Sequence, residues 1–440
     1  MLQRRNFLVY RRFFEIFVLL FFTMGACVLV RQYLHNSLED IRPNKAAMLS
    51  NRRQVRSEYL KSMLKCYDIP LSLERLQYGE FWLLKNFIRG RLSARMGCAE
   101  SITYTTNGDY TFMESLASVL KRWMGPLSFA LFAPGYDFNA TMDAIQYVRN
   151  CLPESDLIRD YVTFHVYFPN NHMPKHQVPL NEDEALKWPY NCHATESAPY
   201  ENVNRTLMYK TQQNLTYPIN VGRNIARSAA NTYFIFACDI ELHPSVGLID
   251  QFLDMAERNI SVVRPDQGEK LRVFPMPVFE VMSNATMPTT KEQLLPMLKT
   301  KAAIPFHSFV CKSCHLVPDQ DKWLAANKTD NLEVISVGKR YKKFVNWEPF
   351  YISDNKEPIF DERVTWEGQS NKRIQNYAMC LMDYEYHVLH PPFLVHSPGI
   401  KKLDKNSTRW NYVKAMNKII HYKIVPGYQS LFGNNKECRV

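Results

Sequence analysis

Apolar positions along most of the chain form short segments whose spacing alternates between that of strands and that of helices. Apolar and aromatic runs at 126–132 and 161–168 predict strands, whereas the spacing at 141–151 and 218–230 predicts helices. This β–α alternation predicts an α/β fold with a mostly parallel central sheet flanked by helices.

Two further elements follow from local signals. Ser245 is placed to act as the N-cap of a helix predicted at 246–257. Residues 272–281 are predicted to be extended and to lie at a sheet edge, because Pro275 and Pro277 cannot donate hydrogen bonds to a neighbouring strand.

The N-terminus has a different pattern. Residues 1–12 hold four arginines and no acid, and the 18 apolar residues 13–30 contain Glu15 as their only charge. At about 1.5 Å per residue this segment reaches roughly 27 Å, enough for a thin bilayer. We therefore expect a cytoplasmic tail at 1–12 and an uncleaved transmembrane anchor at 13–30. A signal peptide cleaved near Gly25-Ala26 is the alternative.

The charged region between the anchor and the alternating segments is predicted to be a luminal stem. It covers 31–97 and includes helical patterns at 57–66 and 73–89. The main luminal domain would then occupy 98–440. Seven Asn-x-Ser/Thr sequons lie downstream of the anchor and predict a luminal glycoprotein; they begin at Asn139, Asn204, Asn214, Asn259, Asn284, Asn327 and Asn406.

The composition, 46% hydrophobic and 22% charged over 440 residues, is that of a packed protein. The net charge of +11 would suit nucleic acid or an anionic ligand, but the basic residues are dispersed and no nucleic-acid-binding module is present. We therefore expect no nucleic-acid partner. Cys311 and Cys314 favour a structural disulfide, or an isolated pair, over half a zinc site. Nine cysteines beyond the anchor imply at least one free or intermolecular thiol if the others pair.

The most apolar strand candidate, at 232–238, ends abruptly in Asp239-Ile240-Glu241. Carboxylates at alternate positions of an extended chain point to the same side. They would lie at the C-terminal edge of the sheet, where open α/β sheets bind ligands. Paired oxygen donors there suit Mg²⁺ or Mn²⁺ carrying a diphosphate. A solvated strand end is the alternative interpretation.

Other residues could complete such a site. His396 ends the apolar segment 393–396 and could be a third metal ligand, although a structural histidine would look the same. His243 is a second choice, because it lies beyond the strand and before a proline. Arg223 precedes the central strand and could contact such a diphosphate.

Aromatic residues alternate with carboxylates at 347–353 and 360–368, a pattern that suits a sugar site, with rings under the pyranose and acids on its hydroxyls. Trp347 and Glu348 are candidates for donor binding. One acid could be the general base; the candidates are Asp361, Glu362 and Glu367. An aromatic core strand with solvated charges is the alternative.

Four segments in this order resemble glycosyltransferase family 49, over roughly 127–399; they are NVGRNIARSAANTYFIFACDIELHPS, VFPMPVFEV, VNWEPFYISDNKEPIFDERVTW and YHVLHPPFLVH. The resemblance implies a GT-A-like nucleotide-sugar transferase fold, Mn²⁺ dependence and inversion at the anomeric carbon. It implies a Golgi type II membrane enzyme that transfers glucuronic acid or N-acetylglucosamine from a UDP-sugar to a glycan or glycoprotein acceptor. A homodimer is a further expectation.

The family's Asp-x-Asp motif falls on Asp239 and Glu241, and its late metal-binding histidine falls on His396. The resemblance therefore implies these three as metal ligands, with Asp239 also at the donor. For a glucuronic acid donor, Arg223 could contact either the diphosphate or the uronic acid carboxylate. Glu241 departs from the family's aspartate, and its extra methylene moves the carboxylate by more than about an ångström. The region 366–373 is also one residue longer than in the family. A catalytically silent, membrane-anchored glycan-binding relative is therefore the alternative function.

Overall fold

The structure, a computed structural model, describes residues 24–32, 47–175, 177–193, 197–264, 270–311, 313–327, 329, 331–400 and 409–440. The chain divides into two compact units, Met1–Ser57 and Glu58–Val440. Helical backbone covers 24–32, the end of the predicted anchor, whose residues 13–23 lie outside the described part. None of the helices in the described ranges is both long and apolar enough to cross a membrane.

The strands of the second unit are named in chain order: β1 (Glu74–Tyr78), β2 (Phe81–Ile88), β3 (Ile102–Gly108), β4 (Leu127–Phe132), β5 (Val162–Pro169), β6 (Phe234–Ala237), β7 (Leu242–Pro244), β8 (Arg272–Pro275), β9 (Val278–Val281), β10 (Ala303–Pro305), β11 (Glu333–Gly338), β12 (Tyr351–Ser353), β13 (Glu385–His390) and β14 (Leu394–His396).

The helices are referred to by their bounds. A helix covers 47–64, and the later α-helices are Leu116–Trp123, Asp137–Asn150, Ser155–Tyr161, Glu182–Leu186, Tyr209–Gln212, Ile219–Ser228, Leu248–Arg258, Ile260–Val263, Lys291–Lys299, Gln320–Ala325, Asn371–Leu381, Trp410–Ile419 and Val425–Phe432. Shorter 3₁₀ turns and one π-helical segment are found at Ser93–Arg95, Tyr110–Ser115, Arg205–Leu207, Lys342–Phe344 and Ile420–Ile424.

Ten strands form the central sheet in the order β1-β2-β5-β4-β3-β6-β12-β8-β13-β11. The four at its centre, β5-β4-β3-β6, are parallel. Every residue of β3 and β4 is buried, as expected of strands covered on both faces. The predicted α/β fold is therefore confirmed. The sheet as a whole is mixed, because β2 and β12 run antiparallel to their neighbours.

Three sequence expectations are wrong. Helix Leu248–Arg258 has Gly247 as its N-cap instead of Ser245, whose hydroxyl accepts a hydrogen bond from the Phe393 N–H. Residues 73–89 form β1 and β2 instead of a helix, because Leu83, Leu84 and Phe87 are buried where β2 pairs with β5. Part of the predicted stem thus belongs to the central sheet. Residues 272–281 are not an edge: β8 lies inside the large sheet, and β9 lies inside a four-stranded sheet ordered β10-β9-β14-β7. Pro275 and Pro277 mark the passage from one sheet to the other.

The cysteines agree with the sequence expectation. The four disulfides of the second unit are Cys66–Cys98, Cys151–Cys192, Cys311–Cys314 and Cys380–Cys438. The remaining thiol of this unit, Cys238, is buried immediately after β6. Burial raises its pKa strongly, so it is a neutral core residue.

Candidate active site

An acidic turn follows the central strand β6. The Leu242 N–H donates to the Asp239 carbonyl oxygen at 2.9 Å, so the chain turns here instead of continuing extended as expected. Ile240 is 2% exposed and anchors the turn in the core. The Asp239 and Glu241 side chains, 36% and 39% exposed, face outward. The two carboxylates therefore reach one surface through a turn.

Two cavities open over this turn, at the C-terminal edge of the parallel strands. The smaller, of 320 Å³, lies beside the end of β3 and is lined by Asn107 and Asp109. The larger, of 660 Å³, extends to the start of helix Asn371–Leu381. Asp239, Glu241 and Trp366 line both cavities. This is the edge at which open α/β sheets bind ligands.

Asp239 is held by two cations. Arg223, from helix Ile219–Ser228, donates to Oδ1 at 2.9 Å, and Lys372, from helix Asn371–Leu381, donates to Oδ2 at 2.9 Å. Burial alone would raise the pKa of Asp239, but the charges and hydrogen bonds of Lys372 and Arg223 outweigh it and hold that pKa far below its ordinary value. Asp239 is therefore ionised at any physiological pH.

Glu241 faces a histidine instead. Its Oε2 lies 3.4 Å from His396 Nε2, and the Ser397 N–H donates to the Glu241 carbonyl oxygen at 2.9 Å. This contact exists because β14 pairs with β7, with His396 opposite Leu242. The sequence expectation that a second strand end would bring His396 to the acidic pair therefore agrees with the geometry.

His396 is 5% exposed, and its two ring nitrogens differ. Nδ1 lies 2.7 Å from the Ser397 carbonyl oxygen, so it carries the proton and donates. Nε2 is buried and makes no hydrogen bond among the described residues. A buried nitrogen with a lone pair directed at a carboxylate-lined cavity fits a metal ligand. His243, the second choice, is 1% exposed and lines neither cavity.

The residues present fit a divalent cation in part. Glu241 and His396 supply an oxygen and a nitrogen donor next to each other, whereas both oxygens of Asp239 already bind cations. Within the described ranges, no cluster of three or more His, Cys, Asp or Glu side chains is arranged to hold a metal ion. The three-residue metal site thus remains a prediction.

Helix Asn371–Leu381 begins at the wall of the larger cavity. Its second and third residues are Lys372 and Arg373, and the latter pairs with Glu348 at 3.0 Å. Glu348 lines this cavity, as expected for a donor-binding residue. Trp347 does not, because its ring is 1% exposed and packs against Tyr386 in the core. The aromatic pattern at 347–353 is thus partly a core strand.

Aromatic rings form part of the wall of the larger cavity, which Phe306 and His315 line. The His315 ring contacts the rings of Phe306 and Phe350, with centroids 4.8 and 6.1 Å away. Burial lowers the pKa of His315 to about 3, with the charge of Lys372 a smaller cause. Its Nδ1 lies 3.1 Å from the Glu348 carbonyl oxygen and must donate to it. His315 is therefore a neutral polar group in the wall.

The three acids predicted as general bases lie in different surroundings. Asp361 is 6% exposed, accepts two hydrogen bonds from the Arg363 guanidinium, and lines neither cavity. Glu362 accepts from the Tyr78 hydroxyl at 2.6 Å and also lines neither. Glu367 lines the smaller cavity together with Asp239 and Glu241. The structure therefore brings only Glu367 of these three to the acidic turn.

Sequence reasoning missed the cations that hold Asp239 and the wall histidine. Lys372 carried one usable signal: two basic residues open a helix whose first turn contains no acid, the reverse of the preferred charge distribution. His315 lies beside Cys314 and carried no signal, because its role depends on packing between distant aromatic residues.

An α/β sheet whose central strands end at a cleft of carboxylates, cations and aromatic rings defines an enzyme of the kind that binds an anionic cosubstrate. The chain belongs to glycosyltransferase family 49, whose family model, described as a glycosyl-transferase for dystroglycan, matches residues 101–433. Membership confirms the resemblance noted in the sequence. It makes the chain a glycosyltransferase and implies a nucleotide-sugar donor and a glycan acceptor.

Individual relatives agree with this family. The chain is 26% identical over 356 residues to "Beta-1,4-glucuronyltransferase 1" of Danio rerio, covering 78% of each chain. It is 26% identical over 352 residues to the Homo sapiens protein of the same name, covering 79% of each. "Xylosyl- and glucuronyltransferase LARGE1" of Danio rerio is 27% identical over 211 residues, 48% of this chain and 26% of that relative.

Proposed function

We propose that this protein is an inverting, metal-dependent glucuronyltransferase with a GT-A-type fold, which transfers glucuronic acid from UDP to a glycan acceptor. The observation that carries the proposal is the acidic turn of Asp239 and Glu241, which lines two adjoining cavities at the C-terminal edge of the sheet. The glucuronyl specificity is taken from the names of the relatives, and the donor class follows from the family.

Glu241 and His396 would hold the cation, with Asp239 contributing from the other end of the turn. Bound there, Mn²⁺ or Mg²⁺ would neutralise charge on the donor diphosphate as a Lewis acid. Arg223 can contact either that diphosphate or the uronic acid carboxylate, since it is 7% exposed and lies at the larger cavity. Besides Asp239, its guanidinium donates to Asn220 Oδ1 at 2.9 Å and to Asn371 Oδ1 at 2.7 Å, which fixes its direction.

Glu367 is the best-placed general base of the three predicted acids. Both of its carboxylate oxygens accept from the Tyr217 N–H, at 3.0 and 3.1 Å, which orients the group at the smaller cavity. In the proposed reaction the acceptor hydroxyl attacks the anomeric carbon opposite UDP. The bond from that carbon to the diphosphate oxygen breaks, its electron pair leaves with UDP, and the hydroxyl proton passes to Glu367.

The acceptor would enter from the open side of the larger cavity. Trp366 and Trp410 line that cavity and remain 47% and 41% exposed. Indole rings in such a position suit the apolar faces of pyranose rings. The Arg409 guanidinium lies 3.9 Å from the Trp366 ring centroid and holds the indole in place. This is also the region in which the sequence is one residue longer than the family pattern.

We also propose a luminal Golgi location behind an N-terminal anchor. Of the six sequons whose asparagine lies in the described part, five have an exposed asparagine and Asn139 is partly exposed. Four disulfides are typical of the oxidising secretory pathway. The arginine-rich residues 1–12 before the apolar segment favour the type II orientation.

The second candidate function is a catalytically silent glycan-binding protein. Two observations favour it: glutamate at position 241, and the two cations already bound to Asp239. Such a protein would bind saccharides at the exposed tryptophans without metal-dependent affinity for UDP.

A donor screen on the full chain distinguishes the two. Hydrolysis and transfer would be measured from UDP-glucuronic acid, UDP-N-acetylglucosamine, UDP-xylose, UDP-galactose and UDP-glucose, each with Mn²⁺ and with EDTA. We expect turnover of UDP-glucuronic acid that EDTA abolishes. Saccharide binding without UDP binding or turnover, in folded and glycosylated protein, would instead favour the silent glycan-binding protein.

A further inference from the structure

The first turn of helix Asn371–Leu381 carries the wrong charge for an isolated helix. Its N-terminal end has a partial positive charge and normally attracts acids. Here the first turn contains no acid and instead holds Lys372 and Arg373. The turn before it is also strained, because Gln369 and Ser370 both adopt left-handed φ angles, of 57° and 56°. Local stability does not explain this arrangement, whereas an anion bound at the helix end would.

Lys372 lines the larger cavity and is bound to Asp239. Its side chain is 13% exposed, and its ammonium lies 3.9 Å from the Phe350 ring centroid and 2.9 Å from Asp239 Oδ2. Arg223 also donates to this carboxylate, at Oδ1 and 2.9 Å, so Asp239 has a second cationic partner. One of the two cations can therefore move to a ligand while the other keeps Asp239 paired.

The charges around the larger cavity agree with an anionic ligand. Its described lining residues include four cationic side chains, Arg223, Lys372, Arg373 and Arg409, against three carboxylates, Asp239, Glu241 and Glu348. A further sign of a ligand comes from His396, which also lines this cavity. This histidine is 5% exposed and presents a buried Nε2 that has no hydrogen-bond partner among the described residues. The larger cavity is thus lined both by cationic side chains and by a histidine nitrogen that could bind a metal ion.

We propose that Lys372, together with the N–H groups that begin helix Asn371–Leu381, binds the diphosphate of the nucleotide-sugar donor. Asp239 serves as the counter-ion that holds Lys372 in place until the donor arrives. A helix N-terminus with an adjacent lysine is a strong phosphate site, because N–H donors, the helix dipole and the ammonium act on the same oxygens. This inference rests on the proposed function, since the diphosphate belongs to the donor proposed there.

The test is calorimetric binding of UDP and of uridine to the full chain, with Mn²⁺ and with EDTA. Lys372→Gln should weaken UDP binding about 10- to 100-fold, the range of a charge-assisted hydrogen bond. Uridine lacks phosphate, so its affinity should change less than about twofold. Lys372→Arg restores the charge and should recover most of the UDP affinity. Lys270→Gln is the matched control, because Lys270 is also ion-paired, with Asp383, but lines neither cavity.

Each result decides a separate point. Equal UDP affinity in Lys372→Gln and wild type would overturn the assignment of Lys372 while leaving the proposed function standing. An equal loss for UDP and uridine would also overturn it, because the residue would then act through the structure of the cavity. Absence of UDP binding by the wild-type chain, with and without metal, would overturn the proposed donor and this inference together.

Discussion

The two acids of the turn after β6 are two residues apart and line the same cavities, yet their surroundings differ. The Asp239 carboxylate accepts hydrogen bonds from Arg223 and Lys372, each at 2.9 Å. Glu241 faces His396, whose Nε2 makes no hydrogen bond within the described part of the chain. One side of the turn thus holds a carboxylate bound by two cations, whereas on the other side a carboxylate lies beside a histidine nitrogen.

This difference suits the two sides of the turn to different ligands in the proposed function, a divalent cation on one side and phosphates on the other. A carboxylate already bound by two cations adds little net negative potential, so a divalent ion is attracted chiefly by the Glu241 side. The cationic side is suited to the phosphates that such an ion accompanies. In the proposed function, the departure from Asp-x-Asp at position 241 therefore lies on the side that would bind the metal, where the position of the carboxylate matters most.

The largest effect should come from Asp239→Asn. The amide cannot balance Arg223 and Lys372, which would then repel each other across a mostly buried site. We expect transfer to fall about a thousandfold, as for other losses of preorganised charge, while the far-UV circular dichroism stays that of wild type. Asp354→Asn is the control, because Asp354 is ion-paired with Lys356 but lines neither cavity. Full activity of Asp239→Asn would remove the functional distinction between the two sides.

A smaller effect on activity should distinguish Glu367, the proposed general base, from Asp239 and Glu241. Glu367→Gln keeps the hydrogen-bond acceptor for the Tyr217 N–H but cannot take a proton, so kcat should fall about a hundredfold with UDP affinity unchanged. Asp361→Asn is the matched variant: it breaks the pairing with Arg363 and should lower thermal stability more than kcat. If Asp361→Asn lost kcat and Glu367→Gln did not, the base would have to be reassigned to Asp361.

His396→Ala tests the Glu241 side of the turn, where the metal is proposed to bind. Removing the ring nitrogen should reduce the enhancement of UDP affinity by Mn²⁺ about tenfold, while the affinity measured in EDTA should remain within about twofold of wild type. Lys372→Gln should show the opposite pattern, with a loss in both conditions. His421→Ala, at an exposed histidine, is the control. If His396→Ala and Lys372→Gln both lost UDP affinity by the same factors, with Mn²⁺ and with EDTA, the proposed difference between the two sides of the turn would be wrong.

From the sequence, the acids and His396 could be predicted as site residues, but the cations that bind Asp239 could not. The acids and His396 were found because each ends an apolar strand, a signal that lies within a few neighbouring residues. The pairing of Asp239 with Lys372 joins residues 133 positions apart, and that with Arg223 depends on how a helix packs against the sheet. Arg223 was assigned to the diphosphate or a uronic acid, and its contact with Asp239 was not foreseen.

The fold shows the same limit. The central strands β4, β5 and β6 were predicted close to their observed bounds, because continuous apolar runs are typical of buried strands. The region 73–89 was predicted as a helix because a few apolar residues fit both periods, and only its pairing with β5 decides the outcome. Likewise, a pattern of aromatic residues and acids could not show that Trp347 faces the core while Glu348 faces the cavity.

A separate prediction concerns stability in acid, which sets the pH range over which the two sides of the turn can be compared. His165 is fully buried; its Nδ1 accepts from the Asn86 N–H at 2.7 Å and its Nε2 lies 2.9 Å from Ser128 Oγ. Burial lowers its pKa to about 3, whereas the unfolded chain has the ordinary value of about 6.5. On acidification the unfolded state therefore takes up this proton first. The contribution is intact above pH 6.5 and is lost progressively as the pH falls towards 3.

This linkage amounts to about 2 kcal/mol of unfolding free energy between pH 7 and pH 5. Urea unfolding at the two pH values should show that loss in wild type and a correspondingly smaller loss in His165→Gln, whatever the baseline stability of the variant. His421→Gln should keep the wild-type pH dependence, since His421 is exposed. Equal pH dependence in all three proteins would mean that His165 does not limit acid stability. In that case a loss of UDP binding at pH 5 would have to arise in the cleft itself.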